Sequence, residues 1–159
     1  MAEKRYYLAY GSNLNMAQME WRCPDAKPLG TAEISGYRLL FKGSKSGAYL
    51  TIEPQEGAKV PVAVWEVSEA DEKKLDRYEG FPTFYYKKEL ELTYTGIKTG
   101  KKRKCTAFVY LMHEDRAFGI PSKSYLLTCH DGYKDFQLDE RYLTRALFES
   151  MEELKCKNL

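Results

Sequence analysis

The chain has 159 residues, of which 43% are hydrophobic and 30% charged, and a formal net charge of +2. This length predicts a single domain, 1–159, large enough to bury a core without staples. The small net charge does not call for a polyanionic partner, and no apolar run approaches the roughly 18 residues of a membrane span. Four scattered cysteines and two histidines lack metal-ligand spacing, so we expect no metal site and reduced thiols.

The first part of the chain predicts strands around one short helix. "RYYLAY" is short, aromatic and apolar, as strands are, and it ends at the turn cluster Gly11-Ser12-Asn13. A helix is expected in "NMAQMEWR", with Asn13 or Asn15 as its N-cap, and it stops at Cys23-Pro24. "AEISGYRLLF", "GAYLTIEP" and "PVAVWEV" follow as three strands, the last of them continuous enough in apolar residues to be central.

The second part predicts a helix, a hairpin and two further helices. Residues 68–71 resemble a capping box, and the helix that follows ends near Gly80, a favourable C′ residue. "YYKKELELTYT" and "KCTAFVYLM" predict a hairpin. Helices are expected after Pro121-Ser122 and, with Asp139 as a cap, in "DERYLTRALFESMEEL". Strands followed by helices predict the α+β class, with a mixed or mostly antiparallel sheet that can curl into a barrel.

The basic segment "KTGKKRK", residues 98–104, lies between the two strands of the predicted hairpin. A solvated hairpin tip is the simpler interpretation of such a charge cluster. Nucleic-acid binding is the alternative, and it would give a strongly salt-dependent affinity. No aromatic residues alternate with the basic ones to stack on bases, so we expect no nucleic-acid partner.

The turn in "AYGSN" can present backbone N–H groups that neither the strand nor the helix uses. Such groups, near a helix start, favour a carboxylate or a carbonyl oxygen that becomes negative during a reaction. The motif is not a dinucleotide fingerprint, because GxGxxG is absent. The alternative is a purely structural turn capped by Asn13.

Glu79 stands at the end of the helix predicted before Gly80. The helix dipole opposes a negative charge there, and rings folding over the carboxylate would remove water from it. Both effects raise a Glu pKa toward the range useful for proton transfer near neutral pH. The alternative is an exposed Glu beside a helix C-cap. The neighbouring rings are Tyr78, Phe81, Phe84, Tyr85 and Tyr86.

Arrangements for nucleophilic catalysis are poor in this sequence. Cys129 and His130 are adjacent on a predicted helix, so their side chains diverge. Ser12 has no evident histidine partner. Tyr125 lies on the apolar face of its helix, where it is either a core residue or a hydroxyl that points into a pocket.

"YLAYGSNL", followed some 65 residues later by "LDRYEGF", resembles the γ-glutamylcyclotransferase-like (AIG2-like) family. "GAYLTIEP…VPVAVWEV" and "PSKSYLLTCHDGY" fit the same pattern, so the resemblance spans residues 6 to about 147. It implies a small mixed β-barrel flanked by helices. It also implies an enzyme that converts a γ-glutamyl compound to 5-oxoproline and a free amine or amino acid, with no metal or organic cofactor. The segment "RYEGFP" resembles the broader AIG2-like branch of the family more than it resembles the glutathione-pathway members.

The resemblance places the catalytic general base on Glu79. Tyr86, seven residues after it, matches a substrate-contacting tyrosine, although the adjacent Tyr85 leaves the register open. Tyr125 matches the tyrosine of the family's "PSxxY" segment. The implied substrate-holding loop comprises Tyr7, Leu8, Ala9, Tyr10, Gly11, Ser12 and Asn13.

The implied mechanism uses the substrate's own α-amine as the nucleophile. Glu79 would take its proton and pass it to the leaving amine, while N–H groups of residues 10–12 hold the developing oxyanion. The alternative function is a binding module for a small carboxylate, without turnover. The expected partner is a small γ-glutamyl molecule, with no nucleic acid or membrane, and a homodimer is compatible. "MAEKRYYLAYGSN" lacks the apolar core of a signal peptide, so we expect a cytoplasmic protein.

Overall fold

The structure, a computed structural model, describes residues 4–157 as a closed five-stranded barrel with helices outside it. The strands are β1 (Arg5–Ala9), β2 (Lys27–Lys42), β3 (Tyr49–Val67), β4 (Tyr85–Gly96) and β5 (Lys102–Met112). The α-helices are α1 (Met16–Arg22), α2 (Glu69–Glu79), α3 (Lys123–Asp135) and α4 (Arg141–Lys157), and a 3-10 turn covers Ser12–Leu14. Within residues 4–157, none of these helices combines the length and apolarity needed to cross a bilayer.

The strand order around the barrel is β1-β3-β2-β4-β5. Neighbouring strands are antiparallel except β1 and β5, which close the barrel in parallel where Tyr7 pairs with Phe108. On the far side, β2 meets β4 at Gly30, where a β-carbon would lie 2.2 Å from the carbonyl oxygen of Thr95. Only glycine allows this close approach. The predicted α+β class and mixed barrel are therefore confirmed.

The β2–β3 hairpin differs from the prediction of separate strands for "GAYLTIEP" and "PVAVWEV". β3 is continuous, and β2 begins at Lys27, before "AEISGYRLLF". The pairing shifts between Ser35↔Lys59 and Tyr37↔Pro54, with positive φ at Gly36 and Gly57. The prediction failed because the exposed residues 54–57 carry no apolar pattern, although the strand continues through them.

The predicted helix ends are largely confirmed. Ser68 caps α2 by accepting the N–H of Asp71, and Gly80 ends it in the left-handed region at φ 64°. Ser122 caps α3 by accepting the N–H of Tyr125. Asp139 accepts the N–H of Arg141 at the start of α4. For α1, the side chain that accepts the capping bond belongs to Asn15 rather than Asn13.

Helix α3 packs directly against the turn that follows β1. A β-carbon on Gly132 would lie 2.6 Å from the backbone nitrogen of Asn15 and 2.6 Å from Cβ of Leu14. The missing side chain lets the helix touch the backbone of the turn. Leu14 and Cys129 are fully buried at this contact. The turn carrying "GSN" is thereby held between α3 and the end of β1.

Candidate active site

One cavity of about 310 Å³ opens where the end of β1, the C-terminal end of α2 and the start of β3 come together. It contains the two sequence motifs that lie 65 residues apart along the chain. The residues that line it are Tyr7, Tyr10, Gly11, Ser12, Asn13, Tyr49, Leu50, Arg77, Tyr78, Glu79, Gly80, Phe84, Tyr85, Tyr110 and Tyr125.

Most of the predicted site residues share this cavity: Tyr7, Tyr10, Gly11, Ser12, Asn13, Glu79 and Tyr125. Leu8 and Ala9 do not line it. They are at most 1% exposed and belong to the hydrophobic core. Tyr49, Leu50, Arg77 and Tyr110 also line the cavity and were not predicted as site residues. Tyr49, Leu50 and Arg77 lie within the segments that carry the family resemblance, but nothing in those segments singled them out.

The expectation that Tyr86 lines the site is corrected to Tyr85. Successive side chains of a strand point to opposite faces, and Tyr85 is the one on the cavity side of β4. Tyr86 packs against His113 instead, with ring centroids 5.1 Å apart. Of the other rings expected near Glu79, Tyr78 and Phe84 line the cavity, whereas Phe81 packs edge-on against Tyr110.

Glu79 is the last residue of α2, and its carboxyl group faces the "GSN" turn. The Nδ2 of Asn13 donates to Oε1 of Glu79 at 3.4 Å and to the hydroxyl oxygen of Tyr7 at 2.9 Å. Burial raises the pKa of Glu79 to about 8, against the opposing effect of the positive charge on Arg22. A carboxyl group with such a pKa can both take and return a proton near neutral pH.

Arg22, at the end of α1, is a site residue that the sequence did not indicate. Its guanidinium donates to Oδ1 of Asn13 and, at 3.1 Å, to Oε1 of Gln18. The guanidinium carbon lies 3.5 Å from the ring centre of Tyr78. Asn15, Gln18 and Arg22 have the i, i+3, i+7 spacing that places side chains on one face of a helix. This spacing is the sequence feature that could have indicated Arg22.

The "GSN" turn offers backbone hydrogen-bond donors beside the carboxyl group. Gly11 precedes the 3-10 turn and contributes no capping side chain. The N–H groups of Leu14 and Asn15 donate to the carbonyls of Gly11 and Ser12, whereas within residues 4–157 the N–H groups of Ser12 and Asn13 have no acceptor. Gly11 itself lies close to the opposite wall, because a β-carbon there would be 3.3 Å from the hydroxyl oxygen of Tyr125. The turn can therefore bind a carbonyl oxygen or a carboxylate.

Three tyrosine hydroxyls of the cavity wall are held by backbone groups. Tyr125 accepts the N–H of Leu50 at 3.1 Å, and Tyr85 donates to the carbonyl of Leu50 at 2.7 Å. Tyr10 donates to the carbonyl of Tyr110, also at 2.7 Å. Burial raises the pKa of Tyr10, Tyr85 and Tyr125 well above the ordinary value, so these hydroxyls stay neutral.

The rim of the cavity is aromatic and more exposed. Tyr49 is 46% exposed, and its ring packs edge-on against Tyr125 at 5.0 Å and against Phe84 at 6.2 Å. Tyr78, 45% exposed, shares a 3.1 Å hydrogen bond with the hydroxyl of Ser12. The polar floor and the aromatic rim together form a pocket for a small molecule with both polar and apolar parts.

The sequence and the fold match known proteins. Residues 7–127 match the sequence profile of the family described as "Gamma-glutamyl cyclotransferase, AIG2-like". The chain is similar to the gamma-glutamylcyclotransferase of Bos taurus, at 28% identity over 88% of this chain and 76% of that protein. It is also similar to that of Mus musculus, at 27% identity over 95% of this chain and 81% of that protein.

Among solved structures, one titled "Gamma-glutamyl cyclotransferase" aligns with a TM-score of 0.74. It is 26% identical, and the alignment covers 91% of this chain and 86% of that one. The family match spans more than half of the chain and includes "YGSN", Glu79 and Tyr125. The chain therefore belongs to the gamma-glutamyl cyclotransferase, AIG2-like family of enzymes.

Proposed function

We propose that this enzyme cyclises the γ-glutamyl group of a γ-glutamyl amine or γ-glutamyl amino acid and releases 5-oxoproline and the amine. The observation that carries the proposal is the placement of Glu79. Its carboxyl group lies in the same cavity as the "GSN" turn, bonded to Asn13, with its pKa raised to about 8. A proton acceptor beside unoccupied N–H donors is the arrangement that an intramolecular attack on an amide needs.

The reaction needs no nucleophile from the protein. The nitrogen of the substrate's α-amine attacks the γ-carbonyl carbon and closes a five-membered ring. The bond from that carbon to the leaving nitrogen then breaks. Glu79 takes the proton that the attacking amine loses and returns it to the leaving amine, so the enzyme ends as it began. Holding the substrate folded supplies the proximity that the ring closure requires.

The remaining cavity groups fit the other needs of this reaction. The N–H groups of Ser12 and Asn13 are available to the carbonyl oxygen that becomes negative during the attack. Tyr85 and Tyr125 line the pocket, and their hydroxyls remain neutral, so they add no charge to it. Rings around the site limit the access of water, which would otherwise compete with the amine for the same carbonyl carbon.

The test is a panel of γ-glutamyl compounds incubated with the purified protein, with 5-oxoproline and the released amine measured by mass spectrometry. Glu79→Gln keeps the size of the side chain and removes the base, and we expect it to lower turnover by about 10²-fold or more. Glu91→Gln, an exposed position on β4, is the matched control and should behave as wild type.

Two results would contradict the proposal. Unchanged turnover in Glu79→Gln would remove Glu79 as the base. No 5-oxoproline from any compound of the panel, together with measurable binding of 5-oxoproline or a small carboxylate, would favour a binding module without turnover.

A further inference from the structure

Arg22 connects the two motifs of the site without lining the cavity itself. It bonds Asn13 of the turn after β1, and it stacks on Tyr78, the residue before Glu79 at the end of α2. Gln18, one helical turn earlier on α1, fixes the second guanidinium nitrogen at 3.1 Å. One side chain therefore holds both halves of the site in place.

The chemistry of Arg22 determines which way the Asn13 amide faces. A guanidinium can only donate hydrogen bonds, so the atom of Asn13 that meets it must be the oxygen Oδ1. The NH2 group is then turned toward the cavity, where it donates to Glu79 at 3.4 Å and to the hydroxyl oxygen of Tyr7 at 2.9 Å. Reversing the amide would place its oxygen against the Glu79 carboxylate.

The same bond sets the direction of a second proton. Because the oxygen of Tyr7 accepts from Asn13, the hydroxyl hydrogen of Tyr7 points away from Asn13, and Tyr7 lines the cavity. Tyr7 is 4% exposed, so its ring is held in place by packing, and the bond from Asn13 then limits the directions open to its hydroxyl hydrogen. A fixed Asn13 amide thus leaves one tyrosine hydrogen available to a bound substrate.

We propose that Arg22 is a positioning residue for the reaction: it fixes the Asn13 amide so that its NH2 group holds the Glu79 carboxylate and turns the Tyr7 hydroxyl toward the substrate. Arg22 acts through Asn13 and Tyr78 and does not touch the reacting atoms. The inference rests on the proposed function for its kinetic part.

The charges around Glu79 support this assignment. The hydroxyls that interact with its carboxyl group are neutral, and they come from β1 and its turn, β4, β5 and α3: Tyr7, Tyr10, Tyr85, Tyr110 and Tyr125. Tyr78 and Arg77 face the same cavity from α2. Among the described residues, the positive charge that lowers the pKa of Glu79 is that of Arg22.

The kinetic test compares Arg22→Met, Arg22→Lys and the control Arg103→Met, which removes an exposed charge on β5. We expect Arg22→Met to lower kcat/KM by about 10²-fold, as a misplaced catalytic group does, and to move the acid limb of its pH profile to higher pH. Arg22→Lys keeps the charge but not the planar fork, and we expect about a 10-fold loss with the limb little changed.

Two further measurements separate orientation from general damage. Asn13→Ala combined with Arg22→Met should cost little more than the worse single substitution, because both act through one amide. The titration of the Glu79 carboxyl carbon by NMR, assigned with Glu79→Gln, should shift upward in Arg22→Met. This titration does not depend on turnover and is measured on each variant that folds.

The outcomes are distinct. Wild-type kcat/KM in Arg22→Lys, or full additivity of Arg22→Met with Asn13→Ala, would overturn the positioning role. A wild-type protein that releases no 5-oxoproline would instead contradict the proposed function. The NMR titration of Glu79 would still test the role of Arg22 in that case. An unchanged titration midpoint in Arg22→Met would show that Arg22 does not influence the Glu79 carboxylate.

Discussion

The hydroxyl of Tyr85 donates a 2.7 Å hydrogen bond to the backbone carbonyl of Leu50 and so joins β4 to the beginning of β3 at the cavity wall. Because both groups are buried, Tyr85→Phe would leave the carbonyl without its partner, which costs about 1–3 kcal/mol. We expect lower thermal stability. We also expect kcat/KM to fall by about 10-fold, because Tyr85 and Leu50 line the cavity and would shift relative to the substrate. Tyr86→Phe is the control next to it, and equal effects of the two substitutions would contradict the choice of Tyr85.

The raised pKa of Glu79 sets the pH dependence of the proposed reaction. The base must be ionised to accept a proton, and below its pKa of about 8 it is increasingly protonated. The value of kcat/KM should therefore rise with pH up to about pH 8, with one proton involved, in a series of buffers at constant ionic strength. A plateau that already begins near pH 5 would show that the carboxylate has an ordinary pKa.

The same shift has a consequence for stability. The pKa of Glu79 is raised from 4.5 to about 8 on folding, so the folded state binds the proton more tightly than the unfolded state does. Stability is then lost as pH rises from about 4.5 to about 8, on the order of a few kcal/mol at ~1.4 kcal/mol per pKa unit. Glu79→Gln should stabilise the protein at pH 9 and change it little at pH 4.5, as measured by urea unfolding. A constant difference across this range would argue against the shift.

Gly132 on α3 is expected to be intolerant of a side chain. Alanine normally favours a helix by about 1 kcal/mol over glycine. Here its β-carbon would meet the backbone of Asn15 at 2.6 Å, and backbone cannot give way cheaply. Gly132→Ala should destabilise the protein, displace the "GSN" turn and lower kcat/KM, whereas Asp131→Ala, exposed on the same helix, should do neither. Circular dichroism melts and steady-state kinetics would check both.

Much of the helix placement could be predicted because it depends on local chemistry. Ser68, Gly80 and Ser122 act at helix ends through their own side chains or backbone freedom, which a short window of sequence contains. The pairing of "YGSN" with Glu79 was recognised from two motifs and their order. Neither the helix ends nor the two motifs required knowledge of contacts between distant parts of the chain.

The features that were missed depend on tertiary contacts. The choice between Tyr85 and Tyr86 needs the phase of β4, which adjacent identical residues conceal. Leu50 and Tyr49 enter the site only because the long hairpin brings the start of β3 to the cavity. Arg22 is recognised as a site residue only through its bonds to Asn13 and Gln18. From sequence alone, an arginine in the last turn of a helix is expected at the surface.

The parallel contact that closes the barrel runs through Tyr7, whose ring also stacks on Phe108 with centroids 5.3 Å apart. The same tyrosine holds Asn13 beside Glu79. The residue at which the barrel closes therefore also positions a side chain of the proposed centre. Separation of β1 from β5 would move Tyr7 and Asn13 away from Glu79, so we expect a molecule in that state to be inactive. A bound substrate should in turn stabilise the closed barrel by RT ln(1 + L/Kd), where L is the concentration of free substrate.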